Sequence, residues 1–177
     1  MSFIDFSPLK SVLIFIACLW AIFFLESIFP IARFGIHPRQ LDGLIGILTS
    51  PFIHENVQHL VANSIGILIF GVFCGLVEGR RMFEVVAGVI LIGGSLTWLL
   101  ARSANHIGAS GLIFGLFGYL IFVGFFHRRW NFILASFVCL AAFGSMIFGV
   151  LPRSPSVSWE GHLFGFFAGF LMAKWRG

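Results

Sequence analysis

Six long runs of apolar residues follow one another along the chain, separated by segments rich in proline, glycine and charge. The runs lie at about residues 9–29, 57–77, 82–101, 107–126, 131–151 and 159–175. A helix needs about 20 apolar residues to cross a bilayer, and helices satisfy their own backbone in lipid whereas open sheets do not. The pattern therefore predicts an all-α membrane protein, in which residues 1–177 form a single six-helix transmembrane domain with no soluble domain.

Composition supports this interpretation. Of the 177 residues, 59% are apolar and 10% are charged, whereas soluble domains carry about a quarter charged residues. This composition excludes disordered, collagen-like and disulfide-stapled chains and argues against a water-soluble globule. The three cysteines lie inside apolar runs, and we interpret them as packing residues.

The net charge of +4 would suggest a nucleic-acid partner in a soluble domain, but here we expect none. Six spans place both termini on one side of the membrane. That side would hold seven basic residues, namely Lys10, Arg80, Arg81, Arg128, Arg129, Lys174 and Arg176. The other side would hold four, namely Arg33, Arg39, Arg102 and Arg153. The positive-inside rule thus favours cytoplasmic termini in a bacterial-type plasma (inner) membrane. At that inner face, Glu78 is interpreted as pairing with Arg80 and Arg81.

With this orientation, the second, fourth and sixth predicted helices begin at the outer face. His59 and Asn63, four residues apart, share one face of the second helix. Ser110 opens the fourth helix and His162 opens the sixth. Polar groups inside a membrane are costly and are candidates for function.

Ser110 stands in the sequence Gly108-Ala109-Ser110-Gly111. Flanking glycines leave its hydroxyl and its backbone N–H accessible, as a nucleophile beside an oxyanion site requires. His59 and Asn63 both donate hydrogen bonds without carrying a charge, which suits a developing oxyanion. The alternatives remain open at this point, because such glycines are also typical of close helix packing and such polar residues of interhelical hydrogen bonds.

The fourth and sixth predicted helices each carry a stripe of glycines on one face. The stripes are Gly111, Gly115 and Gly118 in the fourth helix and Gly161, Gly165 and Gly169 in the sixth. Glycine stripes let two helices approach closely. If these two stripes meet, Ser110 and His162 face each other near one end of both helices. The alternative for His162 alone is an interfacial histidine wetted at the headgroups.

Taken in order, His-x-x-x-Asn, Gly-x-Ser-Gly and His-x-x-Gly-x-x-x-Gly resemble the pattern of the rhomboid family of intramembrane serine proteases, over about residues 41–175. The resemblance implies a six-helix rhomboid-like bundle, with Ser110 as nucleophile and His162 as general base and then acid. It implies an oxyanion site formed by the Ser110 N–H, His59 and Asn63. Its substrates would be transmembrane helices of other proteins, hydrolysed near their outer ends.

By the same resemblance, His54 supports the first loop and residues 152–160 cap the site. Further supporting residues are Gly108, Gly111, Phe114, Gly165 and Gly169. Phe114 stands where the family often has tyrosine; its ring can still stack on His162, but a phenol hydrogen bond is lost. Ile45-Gly46 stands where many members have Trp-Arg.

Two further patterns in the sequence argue against a third catalytic residue and against a metal site. Glu160 lies about 200° around a helix from His162, so it is not expected to orient the imidazole. His54 and His59 are five residues apart rather than the four of the His-Glu-x-x-His motif, so we expect no metal and no cofactor.

Two alternative functions remain, a catalytically silent rhomboid-fold module that binds membrane proteins and a small transporter. The oligomeric state is left open.

Overall fold

The protein is described by a computed structural model that covers residues 7–152 and 157–177. Its long helices are α1 (Ser7–Glu26), α2 (Val57–Glu78), α3 (Met82–Leu100), α4 (Ser110–His127), α5 (Trp130–Phe143) and α6 (Trp159–Arg176). Within those described ranges there is no strand beyond an isolated bridge between Ile36 and His106. The predicted all-α fold class is confirmed.

Four apolar stretches are long enough to cross a membrane, judged by length and composition. They are 8–26, 57–100, 110–127 and 130–150, of which the second contains both α2 and α3. Helix α6 is not among them; its 18 residues include Glu160, Lys174 and Arg176. A crossing by α6 stays a prediction.

Two segments have more structure than an apolar pattern reveals. Helix α5 ends at Phe143, and the chain continues as a 3-10 helix over Gly144–Val150. The first loop contains 3-10 turns at Ile31–Phe34, Leu41–Leu44 and Ser50–Phe52 and a helical turn at Gly46–Thr49. These turns fold the loop against α1 and α3.

Helix α4 is the centre of the bundle. It packs against α2, α3, α5 and α6, and 61% of its apolar stretch is buried, against 11% for residues 130–150. A helix that is apolar on every face is expected in such a position. The first residue of this central helix is Ser110.

The glycine stripes of α4 and α6 meet, which is the condition under which Ser110 and His162 are expected to face each other. A Cβ atom on Gly165 would lie 2.0 Å from the carbonyl oxygen of Gly111, and one on Gly169 would lie 2.0 Å from that of Gly115. Side chains are thus excluded at these contacts, because the two backbones touch. This contact brings the first turns of α4 and α6 together.

At the other end of these helices, the predicted partners of Glu78 are wrong. Its carboxylate lies 3.1 Å from Arg176 on α6 and accepts a hydrogen bond from the Tyr119 hydroxyl on α4. Arg176 also lies 3.3 Å from Glu84 on α3. Glu78 is the last residue of α2, and its side chain reaches the bundle interior rather than the arginines that follow it.

Candidate active site

Ser110 and His162 are in direct contact at the first turns of α4 and α6. The Nε2 atom of His162 lies 2.9 Å from the Oγ atom of Ser110. Both side chains are partly buried. A hydroxyl in hydrogen-bond reach of an imidazole is the arrangement that activates a serine nucleophile.

The imidazole of His162 is held at its edge and on its face. Its Nδ1 atom lies 2.9 Å from the carbonyl oxygen of Gly149, in the 3-10 helix that follows α5. Its ring stacks on Phe114, with ring centroids 4.2 Å apart and planes 10° apart. The ring contact expected of Phe114 is thus confirmed.

Glu160, as its helical position predicted, does not orient His162. Its carboxylate lies 3.2 Å from the guanidinium of Arg102, in the loop before α4. Sequence reasoning missed the acceptor that does contact His162, the carbonyl of Gly149. No residue type could have signalled it, because every residue carries a backbone carbonyl.

Hydrogen-bond donors surround the space in front of Ser110. Its backbone N–H, at the start of α4, has no partner among the described residues, as is usual for the first turn of a helix. A Cβ atom on Gly108 would lie 2.6 Å from Nε2 of His59 and 3.7 Å from Nδ2 of Asn63. All three predicted oxyanion donors therefore lie around the Gly108–Ser110 turn.

Asn63 is buried, and its amide donates to the carbonyl of His59 over 2.9 Å. The amide nitrogen carries two hydrogens, so one N–H remains for another acceptor. Gly108 has a φ of +107°, a conformation that favours glycine. Its N–H donates to the carbonyl of Ser50 over 2.9 Å, which anchors the turn to the first loop.

His54 lies behind His59, and the two rings pack edge to face with centroids 5.1 Å apart. Burial lowers the pKa of His54 to about 4, so the ring is neutral at pH 7. Its Nδ1 atom lies 3.3 Å from the carbonyl of Phe52. His54 thus contacts both the first loop and one of the predicted oxyanion donors.

The loop before α4 is tied to the start of α6. Nδ1 of His106 lies 2.5 Å from Oγ of Ser158, and Arg102 donates to the carbonyl of Val157 over 2.8 Å. Burial also lowers the pKa of His106. The predicted cap spans residues 152–160. Of these, residues 153–156, which include the predicted outer-face residue Arg153, lie outside the described residues.

A cavity of about 800 Å³ opens onto the site. Its wall includes Ser110 and His162, and His59 and Asn63 from α2. On the far side, Phe143 of α5 and Met146 of the following 3-10 helix complete the wall. The cavity therefore extends from the polar site to the boundary between α2 and α5.

The amino-acid sequence is similar to those of known proteins. The model of the rhomboid domain matches residues 42–176. An uncharacterised protein of Mycobacterium leprae is 41% identical over 149 residues, which are 78% of this chain and 59% of that protein. An uncharacterised protein of Mycobacterium tuberculosis is 37% identical over 148 residues, 78% of this chain and 62% of that protein. A Bacillus subtilis protein named "Putative rhomboid protease YdcA" is 30% identical over 137 residues, 72% of this chain and 64% of that protein.

Several apolar helices packed around a buried central helix make this an integral, multi-pass membrane protein. Since the family model covers most of the chain, the protein belongs to the rhomboid family. The chain spans about three fifths of the length of the mycobacterial relatives that it matches. Which end of the bundle faces the cytoplasm stays a prediction.

Proposed function

We propose that the protein is an intramembrane serine endopeptidase, which hydrolyses peptide bonds of transmembrane substrate helices near their outer ends. The observation that carries the proposal is the 2.9 Å contact between Ser110 Oγ and His162 Nε2. The other ring nitrogen of His162, Nδ1, lies 2.9 Å from the carbonyl oxygen of Gly149. Family membership supports the same reaction class, since the Bacillus relative is named as a rhomboid protease.

In the proposed reaction, Nε2 of His162 takes the hydroxyl proton as Oγ of Ser110 attacks the scissile carbonyl. The negative charge that develops on the substrate oxygen receives hydrogen bonds from the Ser110 N–H and from the side chains of Asn63 and His59. His162 then gives its proton to the leaving amine, which leaves an acyl-enzyme on Ser110. A water molecule, deprotonated by His162, hydrolyses that ester and restores the serine.

The proposed substrates are other transmembrane proteins that reach the site from the lipid. An intact helix hides its carbonyls in its own hydrogen bonds, so the substrate must unwind locally before Ser110 can attack. The cavity of about 800 Å³ has room for such an unwound segment. Its wall between α2 and α5 offers an entry route, because residues 130–150 are only 11% buried.

The test is a cleavage assay in lipid vesicles with a fluorescently labelled transmembrane substrate. We expect the wild-type protein to cleave it and Ser110→Ala to be inactive although it stays folded, with a free energy of unfolding lower by about 1 kcal/mol. Equal cleavage by both proteins would refute the role of Ser110. A folded wild-type protein that cleaves no member of a substrate library would favour the silent binding module, and ion or solute flux through it would favour the transporter.

A further inference from the structure

We propose that the backbone carbonyl of Gly149 positions the catalytic base: it accepts a hydrogen bond from the Nδ1–H of His162 and so keeps Nε2 free to take the proton of Ser110. The inference rests on the proposed function. It assigns to a carbonyl on the segment after α5 the orienting task that serine hydrolases with a third residue give to a carboxylate.

The assignment follows from the two ring nitrogens of His162. One lies 2.9 Å from a carbonyl oxygen and the other 2.9 Å from a hydroxyl oxygen. A carbonyl oxygen only accepts, so Nδ1 must carry the proton, and in a neutral imidazole Nε2 is then the acceptor. Without the carbonyl, the imidazole could also protonate at Nε2, a tautomer that cannot act as the base.

Residue 149 has no room for a side chain. A Cβ atom there would lie 2.5 Å from Cζ of Phe114, and this same phenyl ring stacks on His162. The carbonyl of Gly149 and the ring of Phe114 therefore restrain the imidazole together. A side chain at position 149 would displace at least one of them.

A backbone carbonyl is better suited than a carboxylate to orient His162 within a membrane protein. A carboxylate inside the membrane is costly to ionise, whereas a carbonyl carries no net charge. When His162 becomes an imidazolium, its Nδ1–H donates a charge-assisted hydrogen bond to Gly149, and such bonds are stronger than neutral ones. The acceptor therefore stabilises the charge that forms as Ser110 attacks.

The orienting group lies on a segment that contributes other residues to the wall of the cavity. Gly149 lies in the 3-10 helix Gly144–Val150, which begins directly after Phe143 and includes Met146. Both of these side chains line the cavity. A change in this wall therefore acts on the base directly, and we expect it to change kcat more than KM.

A backbone ester tests the carbonyl itself. Replacing Val150 by its α-hydroxy acid turns the carbonyl of Gly149 into an ester carbonyl, a weaker acceptor, and keeps every side chain. We expect kcat to fall about tenfold, as for the loss of one hydrogen bond, with KM unchanged. The matched control places the same α-hydroxy acid at Val138 in α5, which weakens the carbonyl of Phe137 instead and should keep the wild-type kcat. A wild-type kcat in the Val150 ester would overturn the inference.

A side-chain variant gives a larger effect. Gly149→Ala should lower kcat about 10²-fold, as expected when a reacting group is misplaced by about 1 Å. Gly144→Ala, in the same 3-10 helix, is the control, because its Cβ atom would meet nothing closer than Leu140 Cδ1 at 3.4 Å. Equal kcat values for these two variants would count against the positioning role.

The tautomer of His162 can be read without any substrate. In nitrogen-15 spectra of histidine-labelled protein, the signals absent from His162→Gln identify this residue. We expect the Nδ1–H tautomer in the wild type and a larger fraction of the Nε2–H tautomer in the Val150 ester than in the wild type. Protonation of Nε2 in the wild type would contradict the inference. Absence of cleavage by the wild type would instead count against the proposed function, so the two failures are distinguishable.

Discussion

Two polar groups occupy opposite ends of the bundle, and they differ in what their side chains face. At the site end, His59, Asn63, Ser110 and His162 line a cavity of about 800 Å³. At the other end, Arg176 lies between Glu78 and Glu84, with nitrogen–oxygen distances of 3.1 and 3.3 Å. The Glu78 side chain is 2% exposed there, and that of Arg176 is 12% exposed.

In a protein with few charges, polar residues that face a cavity are candidates for chemistry, and polar residues that pair with one another are candidates for structural support. At the far end, Arg176 pairs with Glu78 and Glu84, and together with Tyr119 these residues join α2, α3, α4 and α6. The donors at the site end, by contrast, surround the Gly108–Ser110 turn beside an open cavity. Substitutions at the site end should therefore change the rate, and substitutions at the far end should change stability.

The largest expected effect is the loss of activity in His162→Ala. It should be as complete as in Ser110→Ala, and the double variant should be no worse, because the two residues act as a unit. The free energy of unfolding should fall by about 1 kcal/mol in Ser110→Ala, as for one hydrogen bond, and by more in His162→Ala, which also loses its contacts with Gly149 and Phe114. Initial rates and denaturant titrations of the three variants measure both quantities. Additive losses in the double variant would contradict the paired mechanism.

Arg176→Met should have the largest effect on stability. It leaves the buried carboxylate of Glu78 without its cation, and breaking a buried ion pair costs about 3–5 kcal/mol, whereas the pair with Glu84, whose side chain is 51% exposed, adds little. Unfolding by denaturant measures this loss, while kcat per folded molecule should stay at the wild-type value. Lys174→Met is the matched control, since Lys174 is exposed on the same last turn of α6. Wild-type stability in Arg176→Met would show that the cluster does not hold the bundle together.

Asn63 and its neighbour Ser64 allow a catalytic and a structural polar residue to be compared on the same helix, α2. Removal of an oxyanion donor should lower kcat about 10–10³-fold. The neighbouring Ser64 accepts a hydrogen bond from Trp20 over 3.2 Å and donates to the carbonyl of Leu60 over 2.8 Å. Ser64→Ala should thus cost about 1 kcal/mol of stability and leave kcat unchanged. An unchanged kcat in Asn63→Ala would remove this residue from the oxyanion site.

A smaller effect depends on pH. The pKa of His54 is about 4 in the folded protein, below its unfolded value of about 6.5. Between these values the unfolded chain binds the extra proton, so stability is complete above pH 6.5 and decreases as the pH falls toward 4. The decrease is at most about 1.4 kcal/mol per pH unit. Unfolding free energies at pH 7, 6 and 5 should show a shallower slope in His54→Gln than in the wild type, and identical slopes would contradict the assignment.

Much of the site could be predicted because it depends on helical periodicity. A spacing of four residues places His59 and Asn63 on one face of α2, and the glycine stripes in α4 and α6 indicate how Ser110 and His162 can come into contact. The accessibility of Ser110 could also be predicted, because Gly108 and Gly111 flank this serine in the sequence.

The rest depends on long-range contacts or on backbone atoms. Glu78 pairs with Arg176, which is 98 residues away, rather than with the adjacent arginines. Gly149 contributes a backbone carbonyl, which reaches His162 from the 3-10 helix that follows α5, and no side-chain pattern encodes that position. The pairing of Glu160 with Arg102 crosses 58 residues, which no local pattern reveals.

The most direct test of the Ser110–His162 pair is to map covalent labelling by a fluorophosphonate in the folded protein. Mass spectrometry should find one adduct, on Ser110, because only a hydroxyl activated by an imidazole reacts readily. The adduct should be absent in His162→Ala, which should keep its fold, and should persist in Lys174→Met. An adduct on a different residue, or equal labelling of Ser110 in His162→Ala, would contradict the central claim.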